Sequence, residues 1–325
     1  MDIELQYGLR GKKKQQWVEF LAQADLEADE NIDSTVLVWD DDRLAATGSR
    51  KGNLLKCIAV SEDYQGQGLT ATVLTQLRQD AFADGHKHLF LYTKPKNLLQ
   101  FQSLFFYPVA QTQQVLLMED KPQGITKFLD GFTPAKTDGR IGALVMNCNP
   151  FTLGHRHVIE TAAKECDHVY VFVLSEEQPP FPAADRLQLV KAGTTDLKNV
   201  TVLPTGPYLI SSATFPTYFL KDREQAAIAQ CGLDIAVFSR YYIPKFGITH
   251  RYVGSEPTSV LTNAYNCALK AQLPIEVVEI PRLEAGNAPI SASTVRSLMG
   301  TGKIEKMRTL IPPTTIDYLE KNALL

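Results

Sequence analysis

The 325-residue sequence lacks the features that mark a membrane-spanning, secreted or nucleic-acid-binding protein. No apolar run approaches the roughly 20 residues that cross a bilayer, and residues 1–4, MDIE, lack the basic start of a signal peptide. The formal net charge is only −3, which gives no electrostatic basis for binding nucleic acid or an acidic membrane surface. We therefore expect neither nucleic acid nor a membrane among the partners.

Cysteine is also scarce. The five cysteines are an odd number, and no two of them show C-x-x-C spacing, whereas disulfide scaffolds and zinc modules have paired or closely spaced cysteines. The scattered positions are Cys57, Cys148, Cys166, Cys231 and Cys267. This pattern favours a reduced protein, and we expect a cytoplasmic location. Cys148 follows an apolar strand, and we interpret it as structural.

The length favours two domains, because 325 residues are about twice the usual domain size. The segment around Pro134 is rich in glycine, proline and charge, which is typical of a linker. We therefore predict domains at 1–134 and 135–325.

Periodicity predicts a different architecture for each part. Strands are predicted in the first part at 35–39, 45–49, 54–60 and 89–93, with helices near 17–24 and 71–83. This order favours an antiparallel-leaning α+β domain. In the second part, helices at 153–165 and 184–191 separate apolar strands at 141–146, 169–174, 200–203, 234–238 and 276–280. That alternation predicts an α/β fold with a doubly wound parallel sheet, whose ligands bind beyond the strand carboxyl ends.

The first strand of the second part leads into the turn N-C-N-P-F-T-L-G-H. Thr152 and His155 are three residues apart and lie on one face of the first helical turn. The helix N-terminus offers unpaired N–H groups and a partial positive charge, which favour a phosphate. A later stretch, I-S-A-S-T-V-R, predicts a second helix start, with Ser293 as its N-cap and Arg296 able to reach a phosphate.

The two stretches resemble the H/T-x-G-H and I-S-x-S/T-x-x-R signatures of the nucleotidyltransferase superfamily. The resemblance implies a Rossmann-like fold that transfers a nucleotidyl group from an NTP with Mg²⁺, and it makes Thr152, His155 and Arg296 the candidate catalytic residues. It leaves the metal ligands unassigned. The candidate nucleotide-binding residues are Asn147, Asn149, Pro150, Phe151, Gly154, Arg186, Gly254, Glu256, Ser291, Ser293 and Thr294. An exposed helix arginine is the alternative for Arg186.

A glycine-containing loop follows the strand that ends at Val60. Gly66 and Gly68 let backbone amides approach a ligand at the start of a helix, although a plain turn is the alternative. The loop resembles the acyl-CoA-binding motif Q/R-x-x-G-x-G/A of the GNAT acetyltransferases, with Phe105 later standing where glycine is usual. The residues that this resemblance assigns to a CoA-like thiol are Gln65, Gly66, Gln67, Gly68, Leu69, Thr70 and Asn97.

A GNAT-like domain followed by an adenylyltransferase-like domain resembles the family of the [citrate (pro-3S)-lyase] ligases. The resemblance implies that ATP activates acetate as acetyl-adenylate. The acetyl group then passes to the thiol of a dephospho-CoA-like prosthetic group on the citrate lyase acyl-carrier subunit, with release of AMP and pyrophosphate. The alternatives are an adenylyltransferase acting on phosphopantetheine or nicotinamide mononucleotide, an acetyl-CoA-dependent N-acetyltransferase, and a nucleotide-sensing module without turnover.

Overall fold

A computed structural model describes residues 1–29, 31–209, 218, 223–256, 260–286 and 288–324. The chain forms two compact units, Met1–Lys127 with Phe215–Ala236, and Phe128–Thr214 with Val237–Leu325. The division into 1–134 and 135–325 stays a prediction. In the structure, the chain returns to the first unit after the second has begun. Tyr218 lies on this return, where its hydroxyl donates to the carbonyl of Tyr92 at 2.7 Å. No helix among these residues is long and apolar enough to span a membrane.

The first unit contains a mainly antiparallel sheet with helices. Its strands are β1 (Asp2–Gln6), β2 (Ser34–Asp40), β3 (Arg43–Lys51), β4 (Leu54–Val60), β5 (Phe90–Thr93), β6 (Tyr107–Gln111) and β7 (Leu116–Glu119). The helices in residues 1–130 are α1 (Gly11–Gln23), α2 (Leu69–Ala83), α3 (Leu98–Gln102) and α4 (Gly124–Asp130), with α4 ending in the second unit.

The strand order of this sheet is β1-β2-β3-β4-β5-β7-β6, and β4 and β5 are its parallel pair. They pair only through Leu54 with Phe90 and Leu55 with Leu91, so the strands are unpaired towards their carboxyl ends. The buried face of α2, including Val73 and Leu77, packs against the sheet. These features confirm the expected α+β architecture.

The second unit contains a parallel sheet. Its strands are β8 (Ile141–Met146), β9 (His168–Val173), β10 (Val200–Pro204), β11 (His250–Gly254) and β12 (Glu276–Ile280). The remaining helices along the chain are α5 (Leu153–Glu165), α6 (Ala183–Ala192), α7 (Arg223–Val237), α8 (Ile243–Phe246), α9 (Val260–Gln272), α10 (Ala292–Leu298), α11 (Ile304–Arg308) and α12 (Pro313–Lys321). Of these, α7 lies in the first unit except for its last residue.

The five strands of the second unit run in the order β10-β9-β8-β11-β12, and every neighbouring pair is parallel. The chain moves outward from β8 in one direction and then returns to its other side at β11. Such a switch point opens a crevice at the carboxyl ends of the central strands. The expected doubly wound α/β fold is confirmed, and β8 and β11 lie at its centre.

The strand predicted at 234–238 is wrong. These residues form the end of α7, which continues as a π-helical turn, Phe238–Tyr242. Ile235, Val237 and Phe238 are buried, and a short apolar run of this kind can belong either to a buried strand or to a buried helix. Periodicity over five residues could not separate the two.

Candidate active site

The turn between β8 and α5 fixes the ring of His155. Thr152 is the N-cap of α5, and its hydroxyl oxygen accepts a hydrogen bond from the backbone N–H of His155 at 3.3 Å. In return, Nδ1 of His155 accepts from the backbone N–H of Thr152 at 3.1 Å. This reciprocal arrangement is a capping box in which the imidazole takes the place of the usual carboxylate or amide. Thr152 is 1% exposed, so in the structure it orients His155.

The electrostatic surroundings keep His155 neutral. Burial lowers the pKa of His155 to about 4, and the positive charge of Arg282 acts in the same direction. Because Nδ1 already accepts a hydrogen bond, the hydrogen of the neutral ring is placed on Nε2. The ring also stacks on Phe151, with centroids 6.1 Å apart. His155 therefore offers a fixed N–H donor beside the N-terminus of α5, where an anion is favoured.

The second signature meets the first at this turn. Arg296 donates through Nη1 to the carbonyl of Asn149, which lies 147 residues earlier in the sequence, and through Nη2 to the hydroxyl of Ser293 at 3.2 Å. The guanidinium is thus held beside the turn that carries His155. Because both segments follow strands of one parallel sheet, the structure brings Arg296 and the β8–α5 turn together.

The predicted N-cap of α10 was wrong by two residues. Ser291 is the N-cap, and its hydroxyl oxygen accepts from the backbone N–H of Thr294 at 3.1 Å. The hydroxyl groups of these two residues are 2.8 Å apart. Ser293 lies inside the first turn, exposed, where its hydroxyl contacts Arg296 instead. Both serines are reasonable N-caps by residue type, and the backbone conformation selects the earlier one.

Gly154 allows the two signatures to pack closely. A Cβ atom at this position would lie 3.1 Å from the carbonyl oxygen of Ile290 and 3.5 Å from Oγ1 of Thr152. The glycine therefore accommodates the segment that precedes α10. Gly254 has more room, since a Cβ there would meet only Val158 at 3.8 Å.

Arg186 supports the same turn from inside the protein. Its side chain is fully buried, and it donates to the carbonyls of Asn147 at 2.9 Å and Phe181 at 3.2 Å, as well as to the carbonyl of Glu176. A further bond reaches the side-chain oxygen of Asn147. In this arrangement Arg186 holds the end of β8 in place, and a phosphate contact by this side chain stays a prediction.

The remaining residues of the turn are mostly buried. Asn149 is 5% exposed, and its amide nitrogen donates to the carbonyl of Pro179 at 3.3 Å, while its Oδ1 has no hydrogen-bond partner among the described residues. Pro150 and Phe151 are buried beside it. Burial also raises the pKa of the Cys148 thiol well above its usual range, so this cysteine is a poor nucleophile and fits its structural interpretation.

The first unit has a cavity of about 1050 Å³ at the predicted thiol-binding loop. It lies where β4 and β5 are unpaired, and residues of both strands line it. The predicted residues that line it are Gln65, Gly66, Gly68, Leu69, Thr70 and Asn97. Gln67 is exposed and is not part of the lining. Gly68 is the N-cap of α2, so the cavity includes the start of a 15-residue helix.

Comparison with known proteins identifies the family. A family model described as the citrate lyase ligase C-terminal domain matches residues 141–319. A curated relative from Klebsiella pneumoniae, named [citrate [pro-3S]-lyase] ligase, is 39% identical over 323 residues, which are 96% of this chain and 94% of the relative. The chain belongs to the citrate lyase ligase family. It is accordingly an enzyme of the ligase class, as the resemblance in sequence indicated.

Other comparisons agree with this membership. A relative from Escherichia coli strain K12, also named [citrate [pro-3S]-lyase] ligase, is 38% identical over 321 residues, covering 95% of this chain and 91% of the relative. A model of the acetyltransferase (GNAT) family matches residues 7–100. The citrate lyase ligase C-terminal match therefore includes His155 and Arg296, and the GNAT match includes the cavity loop from Gln65 to Thr70.

In this member of the citrate lyase ligase family, the sequence did not assign a site role to Arg282, and it left the metal ligands open. Arg282 follows β12 and affects the pKa of His155, yet it stands outside both signatures. An arginine just beyond the carboxyl end of a parallel strand was the signal that could have found it. In addition, the described part of the chain has no group of three or more His, Cys, Asp or Glu side chains placed to hold a metal ion.

Proposed function

We propose that this ligase uses ATP to activate acetate as acetyl-adenylate, and then acetylates a thiol on the citrate lyase acyl-carrier subunit. The thiol belongs to a dephospho-CoA-like prosthetic group, and AMP and pyrophosphate are released. One observation carries the proposal: the neutral, oriented ring of His155 and the guanidinium of Arg296 meet at one turn at the carboxyl end of β8. That arrangement suits the phosphates of a nucleotide.

In the first step, a carboxylate oxygen of acetate attacks the α-phosphorus of ATP. A new P–O bond forms, the bond to the β-phosphate oxygen breaks, and pyrophosphate leaves with the electron pair. His155 donates through Nε2–H to a phosphoryl oxygen as negative charge builds, and Arg296 binds the leaving phosphates. The protein needs no nucleophile, so positioning and charge stabilisation account for catalysis. A direct role for Thr152 stays a prediction, and its support of His155 is sufficient for this step.

In the second step, the thiolate of the prosthetic group attacks the acetyl carbonyl. A C–S bond forms, the C–O bond to the phosphate breaks, and AMP leaves. The cavity of the first unit supports this step, because its size and its helix N-terminus suit a long pantetheine arm with a diphosphate. Gly66 and Gly68 both have positive φ values, and a Cβ placed on either would meet no protein atom within 4 Å, so a ligand has room to approach the backbone there.

Mg²⁺ belongs to this proposal as a companion of ATP. Mg²⁺ typically keeps several waters and binds substrate phosphates together with few protein ligands. The absence of a group of three acidic, histidine or cysteine ligands in the described residues fits an ion held mainly by phosphate oxygens. We place the reaction in the cytoplasm, because all five cysteines are free in the structure and the substrate itself is a thiol.

The test measures acetate-dependent pyrophosphate release and carrier acetylation with ATP and thiol-form citrate lyase. His155→Ala should abolish both while the protein stays folded. His157→Ala is the matched control, since His157 lies two positions further along the same helix and faces another direction. Full activity of His155→Ala would reject the proposal. A dinucleotide product, or acetyl transfer from acetyl-CoA without ATP, would favour one of the alternatives.

A further inference from the structure

Arg282 is fixed across the carboxyl ends of two neighbouring strands. It lies two residues after β12, and its Nε donates to the carbonyl of Ser255 at 2.8 Å, just after β11. Its backbone N–H also donates to the hydroxyl of Ser255 at 3.2 Å. These contacts hold the arginine at the edge where a parallel sheet binds its ligands.

A carboxylate holds the other side of the guanidinium. Nη2 of Arg282 donates to Glu256, whose side chain is only 8% exposed, whereas that of Arg282 is 29% exposed. The third nitrogen, Nη1, makes no hydrogen bond to the described part of the chain. The ion pair therefore buries the carboxylate and leaves one face of the cation with a donor available.

The positive charge of Arg282 also affects His155. After burial, the charge of Arg282 is the other cause that lowers the pKa of this histidine. Electrostatic influence through a protein falls with distance and with exposure to water. Arg282 and His155 also share one edge of the sheet, because the parallel strands β8, β11 and β12 all end there.

We propose that Arg282 binds a phosphoryl oxygen of ATP beside His155, and that Glu256 is a positioning residue that holds Arg282 in place. This assigns Glu256 a role behind the arginine instead of a direct contact with the nucleotide. The inference rests on the proposed function only in requiring that the second unit binds ATP. A charged, forked donor is the side chain best suited to a phosphate.

A purely structural role for Arg282 makes a different prediction. A buried carboxylate without a partner is strongly destabilising, so Arg282 could be needed only to neutralise Glu256. In that case, replacing both members of the pair by neutral residues would restore normal ATP binding. If Arg282 binds phosphate, the double variant would still bind ATP weakly, because the donor to the ligand is gone.

The experiment titrates the full-length protein with ATP and, separately, with adenosine by calorimetry. We expect Arg282→Gln with Glu256→Gln to weaken ATP binding by about 10- to 100-fold, the range for a lost hydrogen bond to a charged group. Adenosine binding should stay unchanged. Glu256→Gln alone should cause a smaller loss, since the cation remains but is less well held, and Arg282→Lys should fall between it and the double variant.

The control replaces a more exposed ion pair between α9 and β12, Lys270→Gln with Glu279→Gln, and should leave both affinities unchanged. A double variant of Arg282 and Glu256 that binds ATP like the wild type would overturn this inference and leave the proposed function standing. Equal weakening for ATP and adenosine would also overturn it, because the loss would then be structural. A wild-type protein that binds no ATP would reject the proposed function itself.

Discussion

Nδ1 of His155 accepts the backbone N–H of Thr152 at 3.1 Å, while the backbone N–H of His155 donates to the hydroxyl oxygen of Thr152 at 3.3 Å. The two residues therefore determine each other's conformation at the first turn of α5. A capping interaction that ordinarily only stabilises a helix here also selects the ring orientation and the tautomer of a candidate catalytic histidine.

The first prediction concerns the hydroxyl of Thr152, which caps α5 and supports the ring of His155. Thr152→Val keeps the side-chain shape but removes the hydroxyl, so the free energy of unfolding should fall by about 1 kcal/mol. Ligase activity should fall as well, because His155 loses part of its support. Thr152→Ser should retain stability and most of the activity. Urea-induced unfolding and pyrophosphate release measure the two effects, and full activity in the valine variant would show that the hydroxyl does not orient the ring.

The second prediction concerns pH. The pKa of His155 is lowered to about 4 in the folded protein, whereas an unfolded histidine titrates near 6.5. As the pH falls from about 6.5 to 4, His155 binds a proton in the unfolded chain but not in the native protein. The free energy of unfolding therefore decreases by up to about 3 kcal/mol. Above pH 6.5 His155 is neutral in both states, so this part of the unfolding free energy is fully present there.

The measurement compares the unfolding free energy of the wild type and His155→Gln across this pH range. The variant should lack the part of the slope that His155 supplies. In the wild type, NMR of the histidine rings should show that the ring of His155 stays neutral down to about pH 5. A His155 ring that titrates near pH 6.5 would contradict the proposed neutral donor.

Much of the second unit could be predicted from the sequence, and the reasons are physical. The apolar run 141–146 and the following helix 153–165 were predicted with the bounds that the structure shows, because strand burial and an N-cap threonine both leave clear signals. That Arg296 and the β8–α5 turn lie at the same edge of the sheet followed from parallel topology, since all strands of a parallel sheet end at one edge.

Arg186 shows what the sequence could not predict. Three of its four acceptors are the backbone carbonyls of Asn147, Phe181 and Glu176. Because every residue has such a carbonyl, the pattern of side chains in the sequence does not predict these contacts. Arg282 is similar in part, because its Nε donates to the backbone carbonyl of Ser255. The return of Tyr218 and residues 223–236 to the first unit likewise depends on long-range packing that local periodicity does not contain.

The third prediction compares two glycines of the candidate site. In Gly154→Ala the new methyl group would lie 3.1 Å from the Ile290 carbonyl oxygen, which would push the two signature segments apart and reduce ATP-dependent activity at least tenfold. Gly254→Ala meets only Val158 at 3.8 Å, so the fold should tolerate it. A loss of ATP affinity in Gly254→Ala with unchanged thermal stability would therefore indicate that a ligand approaches the backbone there, and unchanged affinity would remove Gly254 from the nucleotide site.

The fourth prediction concerns the buried Arg186. Arg186→Met keeps much of the volume but leaves three carbonyl groups without their donor, and the buried one, of Phe181, alone costs about 1–3 kcal/mol. We expect a severe loss of stability, measured by thermal unfolding. Arg308→Ala is the control, because Arg308 is half exposed and forms only surface ion pairs, so its loss should cost less than about 0.5 kcal/mol. A stable Arg186→Met protein that has lost only ATP binding would instead support the predicted phosphate contact.

The last prediction tests the cavity of the first unit with two glycines at the ends of one helix. Gly68 precedes α2 and Gly85 follows it, and their φ values are +77° and +85°. Alanine is strained by about 1–2 kcal/mol at such angles, and a Cβ at either position meets no protein atom within 4 Å. The two variants should therefore lose similar stability. Only Gly68 lines the cavity, so Gly68→Ala should weaken the binding of dephospho-CoA, measured by calorimetry, while Gly85→Ala should bind it like the wild type. Equal affinities in both variants would show that this loop does not hold the thiol arm.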